Sequence, residues 1–127
     1  VCGQARFGYN RNMMKLMMFT RTFGCSDQKL ARNCLAELNI RPIELNISID
    51  RDAAQTLMKW VGSLSVPTLV VTDDHDQPIM PPQPLRPDQH TRNTDRGSMI
   101  SEPNCASLRL FLKKHGFISD HDHPSNT

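Results

Sequence analysis

Met14-Lys15-Leu16-Met17-Met18-Phe19 is short and nearly continuously apolar, and a turn and a helical pattern follow it at once. That succession commits the chain to layered α/β packing, because a strand reads this way when both of its faces are buried. Residues 20–24 are turn-like. From Asp27 onward Leu30, Ala31, Cys34, Leu35 and Leu38 recur at helical spacing, with Lys29, Arg32, Asn33 and Glu37 between them, which predicts a helix lying on a sheet. Residues 42–49 alternate, with Ile43, Leu45, Ile47 and Ile49 on one side, as a second strand should.

The period then returns to helical. Asp50 offers an N-cap; Ala54, Leu57, Met58 and Val61 form the apolar stripe of a second helix, with Met58 and Trp60 as packing residues, and Gly62 is its stop. The β-branched run over residues 66–72 predicts a third strand, with Pro67 near its start, where a sheet tolerates one. Residues 73–96 hold five prolines and read as a long loop, partly disordered. Residues 98–101 give a short fourth strand. Asn104 then precedes a last helix marked by Leu108, Phe111 and Leu112, with Lys113, Lys114 and His115 in its final turn and Gly116 beyond. The right-handed crossover rule makes the first two strands a parallel pair.

With 127 residues the chain forms one domain, large enough to fold without disulfides. Residues 1–12 read as a flexible extension that carries Cys2 and no signal-peptide pattern, residues 13–118 as the domain, and residues 119–127 as a flexible polar tail. A formal charge of +2, spread along the chain, predicts no nucleic-acid partner. No apolar run reaches the roughly 20 residues of a membrane span. Cys2, Cys25, Cys34 and Cys105 have neither zinc-site spacing nor the look of a secreted disulfide framework, so a cytoplasmic setting is expected. His121 and His123, with Asp120 and Asp122, lie in the tail, where preorganised metal geometry is lacking; no metal is expected.

Cys25 stands where the first strand turns into a helix. Unpaired N–H groups and the helix dipole favour a thiolate at that position, which makes Cys25 the candidate nucleophile. Asp27 opposes that charge nearby while favouring the helix start. Cys34, on the apolar stripe, is expected to be inert core.

Phe19-Thr20-Arg21-Thr22-Phe23-Gly24-Cys25-Ser26-Asp27-Gln28, Ser65-Val66-Pro67-Thr68 and the segment 95–104 together resemble the glutaredoxin family, specifically a bacterial glutaredoxin-like branch with a proline-rich insertion and without the second active-site cysteine. The resemblance covers residues 13–118. It implies a thioredoxin-like α/β fold: a central four-stranded mixed sheet flanked by three helices, with the long Pro-rich loop before the last strand. It also implies thiol-disulfide exchange, with glutathione as co-substrate rather than bound cofactor and with glutathionylated or disulfide substrates as partners. Cys25 would be catalytic; Arg21, Val66, Pro67 (after a cis bond), Asn104 and Cys105 would contact glutathione, and Cys105 alternatively would resolve a Cys25 disulfide.

Two departures shape the expected chemistry. Gln28 stands where dithiol members have cysteine, which leaves a monothiol reaction. Glu102-Pro103-Asn104 stands near where the family has Gly-Gly before its last helix. A redox-inactive adaptor with a protein partner is the alternative; an iron–sulfur carrier is weaker, since the chain reads Cys-Ser-Asp-Gln rather than Cys-Gly-Phe-Ser.

Overall fold

The structure, a computed structural model, describes residues 14–86, 88–89 and 92–118. The 1–12 extension and the 119–127 tail, with its histidines, lie outside the described residues. In chain order the elements are β1 (Lys15–Thr20), α1 (Ser26–Glu37), β2 (Ile43–Asn46), α2 (Arg51–Val61), β3 (Thr68–Thr72), β4 (Thr94–Asp95), β5 (Met99–Ser101) and α3 (Cys105–Lys114).

The strands form one sheet in the order β2-β1-β3-β5-β4. β1 runs parallel to β2, with Met17 opposite Ile43, and antiparallel to β3, with Met17 opposite Val70. β5 joins β3 antiparallel and carries β4 on its other edge. The alternating pleat sorts side chains between two cores. Leu16, Met18, Leu69 and Val71 pack with α1 and α3, whereas Phe19, Val70 and Met99 pack with α2. Trp60 meets Phe19 edge-on at 6.0 Å between ring centroids, which makes it a packing residue.

The mixed thioredoxin-like sheet with three helices matches the expectation, with a fifth strand added. β4 lies inside the segment read as loop, and its two residues find partners because Thr94 and Asp95 lie opposite Ser101 and Ile100. Among its described residues this segment is tied down at several points. Ile79 N–H donates to Val71 O at 3.1 Å and Leu85 N–H to Val61 O at 2.7 Å. The Leu85 side chain packs on the second core. Arg96, half-buried, donates to Ser101 Oγ at 3.1 Å and Val61 O at 3.5 Å, and burial lowers its pKa from the ordinary guanidinium range.

Periodicity misplaced four apolar residues. The second strand ends at Asn46, whose side-chain oxygen accepts from Ser48 N–H at 2.8 Å and whose carbonyl accepts from Asp50 N–H at 3.0 Å; this turn leaves Ile49 80% exposed. Ile43, on the edge strand β2, is exposed as well; Leu30 and Met58 also face outward, and Gln28 and Trp60 take the inward positions on the two helices. The caps follow the sequence: Asp50 accepts from Ala53 N–H, Gly62 closes α2 at φ 87°, and Asn104 accepts from Ser107 N–H.

Candidate functional site

β1 ends at Thr20, and residues 21–24 carry the chain into α1, with Cys25 as N-cap in extended conformation (φ −82°, ψ 180°). The Cys25 side chain makes no capping hydrogen bond. Its backbone carbonyl begins the helix by accepting from Gln28 N–H at 3.1 Å, which leaves the thiol to face the cleft. There it donates to Val66 O at 3.8 Å, and the Val66–Pro67 peptide is cis. Cys25 is exposed and is the free cysteine among the described residues.

The loop before Cys25 is held from below by Gln28. Its side chain, 2% exposed, accepts from Arg21 N–H at 2.9 Å and donates to Arg21 O at 3.0 Å. An amide suits this task because it presents a donor and an acceptor side by side to one residue's backbone. The same amide explains Gly24, where any Cβ would run into the end of the Gln28 side chain. From above, Thr22 N–H donates to Ser48 Oγ at 3.2 Å and Asn46 Nδ2 donates to Thr22 Oγ1 at 3.1 Å.

Arg21, four residues before Cys25, sends its guanidinium to Leu64 O. Pro67 O accepts from Glu102 N–H at 2.7 Å, so the Val66–Pro67 backbone is anchored to the turn between β5 and α3. Asn104 uses its side chain to cap α3 at 2.8 Å, and its own N–H donates to Asn93 Oδ1 at 3.1 Å. Asp27, Arg92, Asn93, Glu102 and Asn104 line one cavity of about 490 Å³. Thus Cys25 and Val66 are in contact, Arg21 and Pro67 flank them, and Asn104 borders the adjoining cavity.

Cys105 does not join this group as a thiol. It forms a disulfide with Cys34, at 6.0 Å between Cα atoms and 71 residues apart in sequence. This corrects the reading of Cys34 as an unpaired buried thiol, although its 2% exposure places it in the core as expected. It also removes Cys105 as a resolving partner for Cys25, since its sulfur is bonded elsewhere. Helix geometry supplies the reason: Cys34 lies nine positions beyond Cys25 on α1, about 13 Å along the axis, and faces the first turn of α3.

Sequence reasoning missed Gln28 as a structural lock, although its place in the missing cysteine's position was the available signal. It also missed Arg92, Asn93 and Glu102. Arg92 reaches the site from the far end of a proline-rich segment, and no local periodicity records such a path.

Residues 16–75 match the family model described as Glutaredoxin. No curated protein matches the chain.

Proposed function

The chain carries a glutaredoxin domain and is a glutaredoxin-like thiol oxidoreductase of the thioredoxin superfamily, and from that premise we propose that it works as a monothiol enzyme exchanging glutathione with protein or small-molecule disulfides through Cys25. One observation carries the monothiol reading: the side chain of Gln28 fills, buried and hydrogen-bonded, the place a second cysteine would need, while Cys34 and Cys105 are bonded to each other.

The reaction then needs one protein thiol. The Cys25 thiolate attacks the glutathione sulfur of a protein–glutathione disulfide; a Cys25–glutathione disulfide forms, and the substrate's sulfur leaves as thiolate and takes up a proton. The thiolate of a second glutathione attacks the glutathione sulfur on Cys25, releases glutathione disulfide and restores the Cys25 thiolate. In this reading the Val66 backbone aligns the cysteinyl unit of glutathione beside Cys25, as an added strand would. Arg21 supplies positive charge at one end of that backbone. A cytoplasmic setting belongs to the proposal; burial of Cys34 shields the Cys34–Cys105 bond from exchange there.

Turnover of a glutathionylated peptide with excess glutathione tests the proposal. The wild type should turn over with glutathione trapped on Cys25 by intact mass, and Cys25→Ser should do neither. Equal turnover in Cys25→Ser and wild type would refute it.

A second reading, a binding module that recognises a protein partner, is favoured by Phe23, 93% exposed two residues before Cys25. If it is the right one, Phe23→Ala abolishes capture of that partner while Cys25→Ser retains it.

A further inference from the structure

The chain leaves α1 through a closely fixed turn. Asn39 adopts φ 61°, a left-handed conformation that asparagine tolerates better than most residues. Asn39 N–H donates to Ala36 O at 3.0 Å and Ile40 N–H to Leu35 O at 2.9 Å, so residues 38–40 double back over the end of the helix. Ile40 packs on the first core, and Pro42 restricts the backbone just before β2. Whatever this turn encloses is therefore shaped in advance.

Between the turn, the outer side of α1 and the start of β2 lies a cavity of about 450 Å³, within the size range of small-molecule sites. Leu35, Ala36, Ile40 and Pro42 give it apolar surface. Its polar residues are Arg32, Asn39, Arg41 and Glu44, and all four are exposed. The cavity is separate from the thiol cleft. Arg32, its first residue on α1, lies seven positions beyond Cys25, about 10 Å along the helix axis.

The polar residues divide by partner. Arg32 is committed: its Nε donates to Glu44 Oε2 at 3.1 Å and its Nη2 to Glu44 Oε1 at 2.7 Å, a two-pronged ion pair that cancels one charge of each sign. Arg41 and Asn39 have no side-chain partner among the described residues. Arg41 is thus the uncompensated cation at the edge of an apolar cavity. Its guanidinium presents a planar fork of donors that matches a carboxylate, and Asn39 adds an amide donor to the same cavity. One carboxylate balances the charge; a dianion such as a phosphate would leave negative charge facing Glu44.

The geometry points to this cavity as a binding site for a small monocarboxylate with an apolar body, its carboxylate on Arg41 and its body against Leu35, Ala36, Ile40 and Pro42. The site takes no part in the Cys25 reaction, and it stands whether or not the glutathione reading holds.

Naphthalene carboxylate and its neutral counterpart, naphthalene carboxamide, test the assignment on the full chain, with binding followed residue by residue through the backbone amide signals in two-dimensional NMR. The carboxylate should bind saturably with a Kd below about 1 mM and shift the signals of residues 32–44. The carboxamide has the same rings and no charge, and should bind about tenfold more weakly, as should the carboxylate to Arg41→Ala, each having lost one charge-assisted contact. Arg41→Lys should recover part of that loss. Ala36→Phe, at an exposed helix position, fills the cavity and should abolish binding. Equal affinity for the two compounds, or wild-type affinity for the carboxylate in Arg41→Ala, would overturn the role of Arg41 and the ligand class with it. Absence of saturable binding, or shifts centred on Cys25 and Val66 in place of residues 32–44, would overturn the site itself.

Discussion

Gln28 and Gly24 depend on each other through a few atoms, and their coupling can be measured. Removing the amide in Gln28→Ala leaves the Arg21 N–H and carbonyl without their partners, at about 1–3 kcal/mol. Gly24→Ala puts a methyl group where the Gln28 amide lies, and the amide has little freedom to retreat because it is buried and bonded twice. Each single variant should therefore lower stability in urea, and the double variant Gly24→Ala/Gln28→Ala should be less destabilised than the sum of the two by at least about 0.5 kcal/mol. Strict additivity would show that Gly24 is not there to admit the amide. The residue scale also shows where sequence reading reached its limit. That position 28 lacks a thiol is legible, but that its amide ties down the loop before Cys25 requires the three-dimensional return of α1 under that loop.

Between elements, the Cys34–Cys105 disulfide joins the third turn of α1 to the first turn of α3. Both helices lie on the same face of the sheet and share a core with Leu35, Leu108 and Phe111, so the bond reinforces an apolar contact already present. Closing 71 residues of sequence separation restricts the unfolded chain by an amount worth about 2–4 kcal/mol. Cys34→Ser/Cys105→Ser should unfold at lower urea than the oxidised wild type by that margin, and reduced wild type should fall close to the double variant. Equal midpoints for oxidised and reduced protein would mean that the bond adds nothing to stability. Element type and order were readable because β1, α1, α2 and α3 have strong periodicity and clear caps. The pairing was not, because it depends on helix–helix packing across the sheet, and four scattered cysteines carry no record of it. β4 escaped for a related reason: two residues, Thr94 and Asp95, have no periodicity, and only the neighbouring edge of β5 makes them a strand.

At the scale of the whole molecule, the end of α3 and the end of the 73–96 segment close on each other through His115. Its Nε2 donates to Gly97 O at 2.8 Å, since a carbonyl can only accept, and its ring lies 4.7 Å from that of Phe111. Lys114 adds an ion pair to Asp95 at 2.8 Å beside it, exposed enough to contribute little by itself. Burial pushes the His115 pKa below its ordinary 6.5; the bond to Gly97 opposes that shift, Lys114 adds to it and Asp95 opposes it, leaving the value lowered. The sign of the pH dependence follows from linkage. As pH falls through 6.5, the unfolded chain takes up a proton that the folded chain resists, so the folded state loses stability from about that pH down to the lowered native value. Thermal melts between about pH 7.5 and 5.5 stay above the ordinary carboxylate range and should show Tm falling with pH in the wild type. His115→Gln, which retains a donor for Gly97 O, should flatten that slope. A wild-type Tm that is constant or rises toward pH 5.5, or a slope unaltered in His115→Gln, would show that this closure is not held by a neutral imidazole.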